Sequence, residues 1–131
     1  MDKRVVNPWR WQDQFGFVQA NDVVDVKRLV FCAGQVSVDA EGNPLHTGDM
    51  TAQLHQVLDN LEAVLHQAGA GLSDVVRLSY YTTDIEAFTR AGRVLGERLK
   101  RGGCRPATTL LGVASLFHPD VVVELEATAA L

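Results

Sequence analysis

GDMTAQLHQVLDNLEAVLHQAGAGLSDVVRLSYYTTD, residues 48–84, changes its hydrophobic period partway along, and that change decides the fold class. Leu54, Leu58, Leu61, Leu65 and Ala68 recur at spacings of three and four, the stripe of an amphipathic helix with one buried side. Thr47 or Asp49 caps its start, and Gly69 and Gly71 supply the positive φ on which helices commonly end. VVRLSYYTT (75–83) is instead rich in β-branched and aromatic residues and predicts a strand. Tyr80 and Tyr81 then point to opposite faces of that strand, one toward the helices and one away.

Downstream, Asp84 caps a second helix in which Ile85, Phe88, Gly92, Leu95 and Leu99 share a face, and Gly102-Gly103 terminates it. Pro106 opens another strand, ATTLLGVASL, and the turn FHPD leads into the last, VVVELEATAAL. Upstream, FGFVQA (15–20) and KRLVFCAGQVSV (27–38) read as two strands of a hairpin separated by Asn21 and Asp22; Gly42-Asn43-Pro44 follows the second. The predicted order is β-β-α-β-α-β-β in one domain covering residues 1–131, an α+β fold with two helices packed on one face of a mixed sheet. Two helices leave the other sheet face bare. Several strands are apolar at both parities, as in Val121-Val122-Val123, so self-association is expected to cover it.

Hydrophobic residues make up 47% of the chain and charged residues 21%, the profile of a globular protein. No apolar run is long enough to cross a bilayer and the N-terminus MDKRVVNPWRW has no signal-peptide core, which makes the cytoplasm the expected address. A net charge of −4 disfavours nucleic acid as a partner. Arg90, Arg93, Arg98, Lys100, Arg101 and Arg105 read as a solvated helix face whose cations sit near its C-terminal dipole. His55 and His66 are eleven residues apart on one helix, about 16 Å along its axis, and His46 and His118 lack companion ligands, so no metal is expected. Cys32, inside a strand, reads as an inert core residue. Cys104, in GGCRPA beside two arginines that would lower its pKa, is the better candidate for a reactive thiol.

CAGQVSVDAEGN, the long helix with its AGAGLSDVV turn, and RPATTLLGVASLFHPDVVVELEATA together resemble the Rid/YjgF (reactive intermediate deaminase, endoribonuclease L-PSP-like) family in order and spacing, from about Phe15 to Ala129. The resemblance implies a chorismate-mutase-like homotrimer with small-molecule clefts between subunits. It also implies cofactor-free hydrolysis of enamines or imines such as 2-aminoacrylate to keto acids and ammonia. The family's substrate-binding arginine, which directly follows Pro-Ala, corresponds to Thr108 here. Its strand tyrosine corresponds to Phe17, the serine before Gly-Gln to Ala33, a helix asparagine to Gly92 and a cysteine to Leu110. Gly34, Gln35 and the acidic residue Glu124 are retained.

Each of those changes removes a polar or charged group, so the pocket is expected to be roomier and more apolar than that of an aminoacrylate hydrolase. Glu124 is the candidate catalytic residue, as a water-positioning group or pocket acid, and Glu126, two residues on, reads as structural. Phe17, Ala33, Gly34, Gln35, Tyr81, Gly92, Thr108, Thr109 and Leu110 are the candidate ligand contacts. Two functions fit this set: a deaminase acting on a substrate other than 2-aminoacrylate, and a non-catalytic trimer that binds a small molecule in its clefts. An endoribonuclease is disfavoured by the acidity and by the absence of a His/Lys constellation.

Overall fold

The computed structural model describes residues 1–131. The chain folds in the order β1 (Asp2–Val6), β2 (Ala20–Val24), β3 (Leu29–Val36), α1 (Met50–Gln67), β4 (Val75–Thr82), α2 (Ile85–Arg90), α3 (Gly92–Arg101), β5 (Ala107–Gly112) and β6 (Val123–Ala130). Its main sheet has the order β3-β6-β4-β5, with β4 and β5 parallel and the other pairs antiparallel. The expected α+β class and mixed sheet are therefore present.

The beginning of the chain differs from the reading above. No strand covers 15–20: Trp11–Phe15 is a 3-10 turn closed by Gly16 at φ 79°, and the strand starts at Ala20. It pairs with β1, which the sequence reading did not predict, and β1 and β2 form a separate two-stranded ribbon. Asn21 and Asp22, read as turn formers, sit inside β2 because tertiary contacts outweigh their propensity. The Asn21 amide donates to the carbonyls of Val76 (2.8 Å) and Arg105 (3.1 Å), and Asp22 pairs with Arg4. These bonds, with Val18 N–H donating to Pro106 O, dock the ribbon where β4 and β5 begin.

Helix α1 covers 18 residues, and the Asp49 carboxylate caps its start by accepting from Ala52 N–H. Its stripe, joined by Val57, packs with Leu78, Val123, Leu125, Ala127 and Ala129 in a core of 19 buried residues. Because β6 buries its odd-numbered residues, Glu124, Glu126 and Thr128 face away from the helices. The bare face is thus more polar than expected, with exposed Leu29, Phe31 and Leu111 on its outer strands. The predicted second helix is broken at Ala91 into α2 and α3. Arg98 is not solvated: its side chain is 10% exposed and reaches from α3 to Asp59 (2.8 Å), Glu62 and the carbonyl of His55 on α1.

Two polar side chains of α1, Gln53 buried and Asn60 half-buried, hold the strands that carry the candidate site. Gln53, fully buried, donates to His46 O (3.2 Å) and Asp120 O (2.8 Å) and accepts from Val122 N–H (3.0 Å), which fixes the entry into β6. Asn60 donates to Val36 O (3.0 Å) and Val38 O (3.1 Å) and fixes the end of β3. Each amide pairs with backbone groups at or just beyond the strand ends, and for Gln53 this is the condition for burial without penalty.

Candidate functional site

Strand β3 pairs regularly with β6 up to Cys32↔Ala127 and resumes at Gln35↔Leu125, so Ala33 and Gly34 form a bulge opposite Glu126. The bulge brings the Gly34 backbone against Glu124. A Cβ on residue 34 would overlap Oε1 of Glu124 and lie 2.8 Å from its Cδ, so only glycine fits there with the carboxylate in this position. Gln35 does not point to the acid; its amide turns back to Ala33 O (3.2 Å).

Glu124 pairs across the sheet with Tyr81, and Glu126 pairs with Ser79. The Tyr81 hydroxyl donates to Oε1 of Glu126. Burial, and secondarily the charge of Glu126, pushes the Glu124 carboxyl above its ordinary pKa; the hydrogen bond to Glu126 raises that of Tyr81. No cation is paired with either glutamate. Arg77 lies farther along the same face, with Nη2 donating to Thr109 Oγ1 (2.8 Å). Arg77, Ser79, Tyr81, Glu126 and Thr128 line a hollow of about 390 Å³. The sequence reading passed over Arg77 and Ser79, although the polar parity of residues 77, 79 and 81 in VVRLSYYTT was the available signal.

The remaining candidates stand on the other side of the sheet. Thr108 pairs with Leu78 and Leu110 with Tyr80, and residues directly opposite share a face, so both look toward the helices. With Phe17, Phe88, Gly92 and Leu95 they line a groove of about 1040 Å³ between α3, β5 and the turn after Trp11. Trp11 stacks edge-on against Phe17 at 5.8 Å. Lys100 and Arg105 stand at its rim, and no ion pair holds either one. Cys104 also lines this groove, but it is 2% exposed and burial pushes its thiol up to about 12. The arginines beside it in sequence do not activate it, which corrects the expectation of a reactive thiol. Cys32 is buried and likewise shifted upward by burial.

The candidate residues therefore form two half-sites on opposite faces of one sheet. Glu124, Tyr81, Ala33, Gly34 and Thr109 belong to the helix-free side, and Phe17, Gly92, Thr108 and Leu110 to the groove. Within one chain they cannot surround one ligand. No three His, Cys, Asp or Glu side chains are grouped in a way that would hold a metal ion, and no helix is long and apolar enough to cross a membrane.

Residues 16–131 match the family model described as Endoribonuclease L-PSP. A RutC family protein of Pyrococcus abyssi is 34% identical over 109 residues, covering 83% of this chain and 84% of that protein. Among solved structures, that of YyfB, a conserved Rid family protein of unknown function from Yersinia pestis, superposes with a TM-score of 0.89 at 36% identity, covering 100% of both chains. RidA from an Antarctic Psychrobacter superposes with a TM-score of 0.71 at 32% identity over 88% of each chain.

Proposed function

This chain belongs to the endoribonuclease L-PSP family, the Rid/YjgF proteins, and from that premise we propose that it is a cofactor-free imine or enamine hydrolase working in clefts between the subunits of a homotrimer. Family membership supports a small-molecule, deaminase-type function at the level of the family. The observation that carries the specific reading is the Glu124 carboxyl, held against the Gly34 bulge beside Tyr81, with burial raising its pKa and no cation opposing it. A carboxyl in that state exchanges protons near neutrality more readily than an ordinary glutamate.

A closed ring provides the missing proximity. In a heterologous trimer each subunit uses two different surfaces, so the groove of one meets the helix-free face of the next. Exposed Phe31 and Leu111 flank the Glu124 region and supply apolar area for that contact. Water then adds to the imine carbon as Glu124 accepts its proton. The same group returns the proton to nitrogen to give the carbinolamine, then relays the hydroxyl proton to that nitrogen as the C–N bond breaks, and ammonia and a carbonyl compound leave.

Thr108 gives no charge-assisted anchor for a substrate carboxylate, a loss of about 1.5–3 kcal/mol. Hydrolysis of 2-aminoacrylate or 2-iminopropionate is therefore expected to be slow, with the unpaired Lys100 and Arg105 at the groove rim the cations left to meet a carboxylate. The same substitution favours the second reading, a trimer that binds its ligand without turning it over. Imines without a carboxylate, generated in situ by an amine oxidase, and 2-imino acids from an amino-acid oxidase, each followed by ammonia release, test the choice. The hydrolase reading requires an acceleration over water for at least one imine and a drop of about 100-fold or more in Glu124→Gln. Equal rates in the two proteins would refute it, and ligand binding without turnover would establish the second reading.

A further inference from the structure

We propose that the groove takes a bulky, ring-bearing ligand laid against the bare backbone of α3, with a hydrogen-bond-accepting oxygen or nitrogen received by the Tyr80 hydroxyl. This rests on the groove being the ligand site, as proposed above, and names the class of molecule that fits it.

Gly92 and Gly96 stand one turn apart on α3, both on the groove. Glycine is among the least favourable residues inside a helix, so Gly96, in the middle of α3 and one turn after Gly92 at its start, calls for a reason. Conformation is not the reason, since neither has a positive φ. Close packing within the chain is not the reason either: a Cβ on Gly92 or Gly96 would meet no atom of its own chain within 4 Å. Both glycines open a shallow channel over the helix backbone. Phe17, Phe88, Leu95 and Leu110 make the facing walls apolar.

An independent observation comes from Tyr80. The residue is 7% exposed, with its ring tilted against Phe88 at a centroid distance of 5.5 Å, and it lines the same groove. Its hydroxyl makes no hydrogen bond within the chain, whereas the neighbouring Tyr81 has Glu126. Buried tyrosine hydroxyls ordinarily find a partner. Burial raises the pKa of Tyr80, so the group remains a neutral donor. The hydroxyl keeps accessible surface, since the one fully enclosed side-chain polar atom without a partner is Asn21 Oδ1, and the groove that Tyr80 lines is where an acceptor can reach it. A three-carbon imino acid has too little surface to fill the groove and reach Tyr80, whereas an aryl or cyclic carbonyl compound and its imine combine the required bulk and acceptor.

Titrations followed by ligand-observed NMR, using acetophenone, acetone and ethylbenzene as probes, separate these features. Acetophenone is expected to bind and acetone not to bind. Tyr80→Phe should weaken acetophenone about tenfold, the loss of one hydrogen bond, while leaving ethylbenzene unchanged. Gly92→Leu should fill the channel and weaken both aromatic probes at least tenfold, with a melting temperature close to wild type because no atom of its chain lies within 4 Å of an added Cβ. Acetone binding as tightly as acetophenone, or a Tyr80→Phe variant indistinguishable from wild type, would overturn the proposal. Hydrolysis of small imines without aromatic binding also overturns it while sparing the hydrolase reading. Aromatic binding with these variant effects but no imine turnover supports it and sinks the hydrolase reading instead.

Discussion

Replacing Gly34 with alanine is the sharpest perturbation of the bulge that carries Glu124. The added Cβ overlaps Oε1, lies 2.8 Å from Cδ and 3.1 Å from Cγ, so rotating the carboxylate alone does not relieve the clash. Either Glu124 leaves its position by changing rotamer or β3 backs away from β6. An off-rotamer side chain costs about 0.5–1.5 kcal/mol and an overpacked site about 1–3 kcal/mol. Glu124 is only partly buried and has space to swing outward, which selects the lower end, about 1 kcal/mol, or roughly 3–5 °C in Tm for a domain of this size. Catalysis should suffer much more than stability, because displacing the acid is equivalent to losing it, about 100-fold or more in rate. Urea denaturation and imine hydrolysis should be measured on Gly34→Ala, Glu124→Ala and the double variant. In the Glu124→Ala background the glycine substitution should cost less than about 0.3 kcal/mol, a coupling expected only of touching residues. An equal cost in both backgrounds, or an unimpaired rate in Gly34→Ala, would refute the reasoning.

Glu124→Gln should also alter the pH dependence of stability. A carboxyl whose folded pKa is raised from the ordinary 4.5 makes wild type lose stability as pH rises through the raised value. The glutamine variant should therefore gain in urea midpoint relative to wild type at pH 8, with the gain fading toward pH 4; a constant difference would contradict this. Cys104, 2% exposed and shifted to about 12, should resist iodoacetamide at pH 8 until the protein unfolds. Prompt stoichiometric labelling of the native protein would disprove its burial. Arg98→Met should cost about 1 kcal/mol in urea denaturation, because Met retains the packed stem while Asp59 and Glu62, 61% and 46% exposed, regain water. A loss above about 3 kcal/mol would show a desolvated ion network instead.

Elements with a long, consistent period were readable from the sequence: α1 by its leucine stripe between the Asp49 cap and Gly69 at φ 75°, and β4 by its β-branched and aromatic run; Gly71, expected at positive φ, is instead extended at φ −145°. The N-terminal ribbon was not, because its strands are short and polar. Asn21 is stabilised in β2 by carbonyls 55 and 84 residues away, which no local window contains. Arg98 was misread for a similar reason, since helix periodicity assigns a face but does not reveal that another helix carries two carboxylates opposite it. For the site, resemblance supplied Glu124, Gly34, Phe17, Gly92, Thr108 and Leu110 without saying which share a face. Strand pairing does, and it separates them. The parity of Tyr80 and Tyr81 was clear from the sequence, whereas the absence of a partner for the Tyr80 hydroxyl depends on packing.

That separation makes the shared site between subunits the claim most open to direct test. Gly92→Leu blocks the groove half and Glu124→Gln removes the acid half, so each variant alone should be inactive in imine hydrolysis. When the two chains carry different tags, are co-expressed and are purified through both, every mixed trimer contains one interface that joins an intact groove to an intact Glu124. Recovery of about one third of wild-type activity is expected, as a closed three-subunit ring dictates. Activity no higher than that of either variant alone would contradict it.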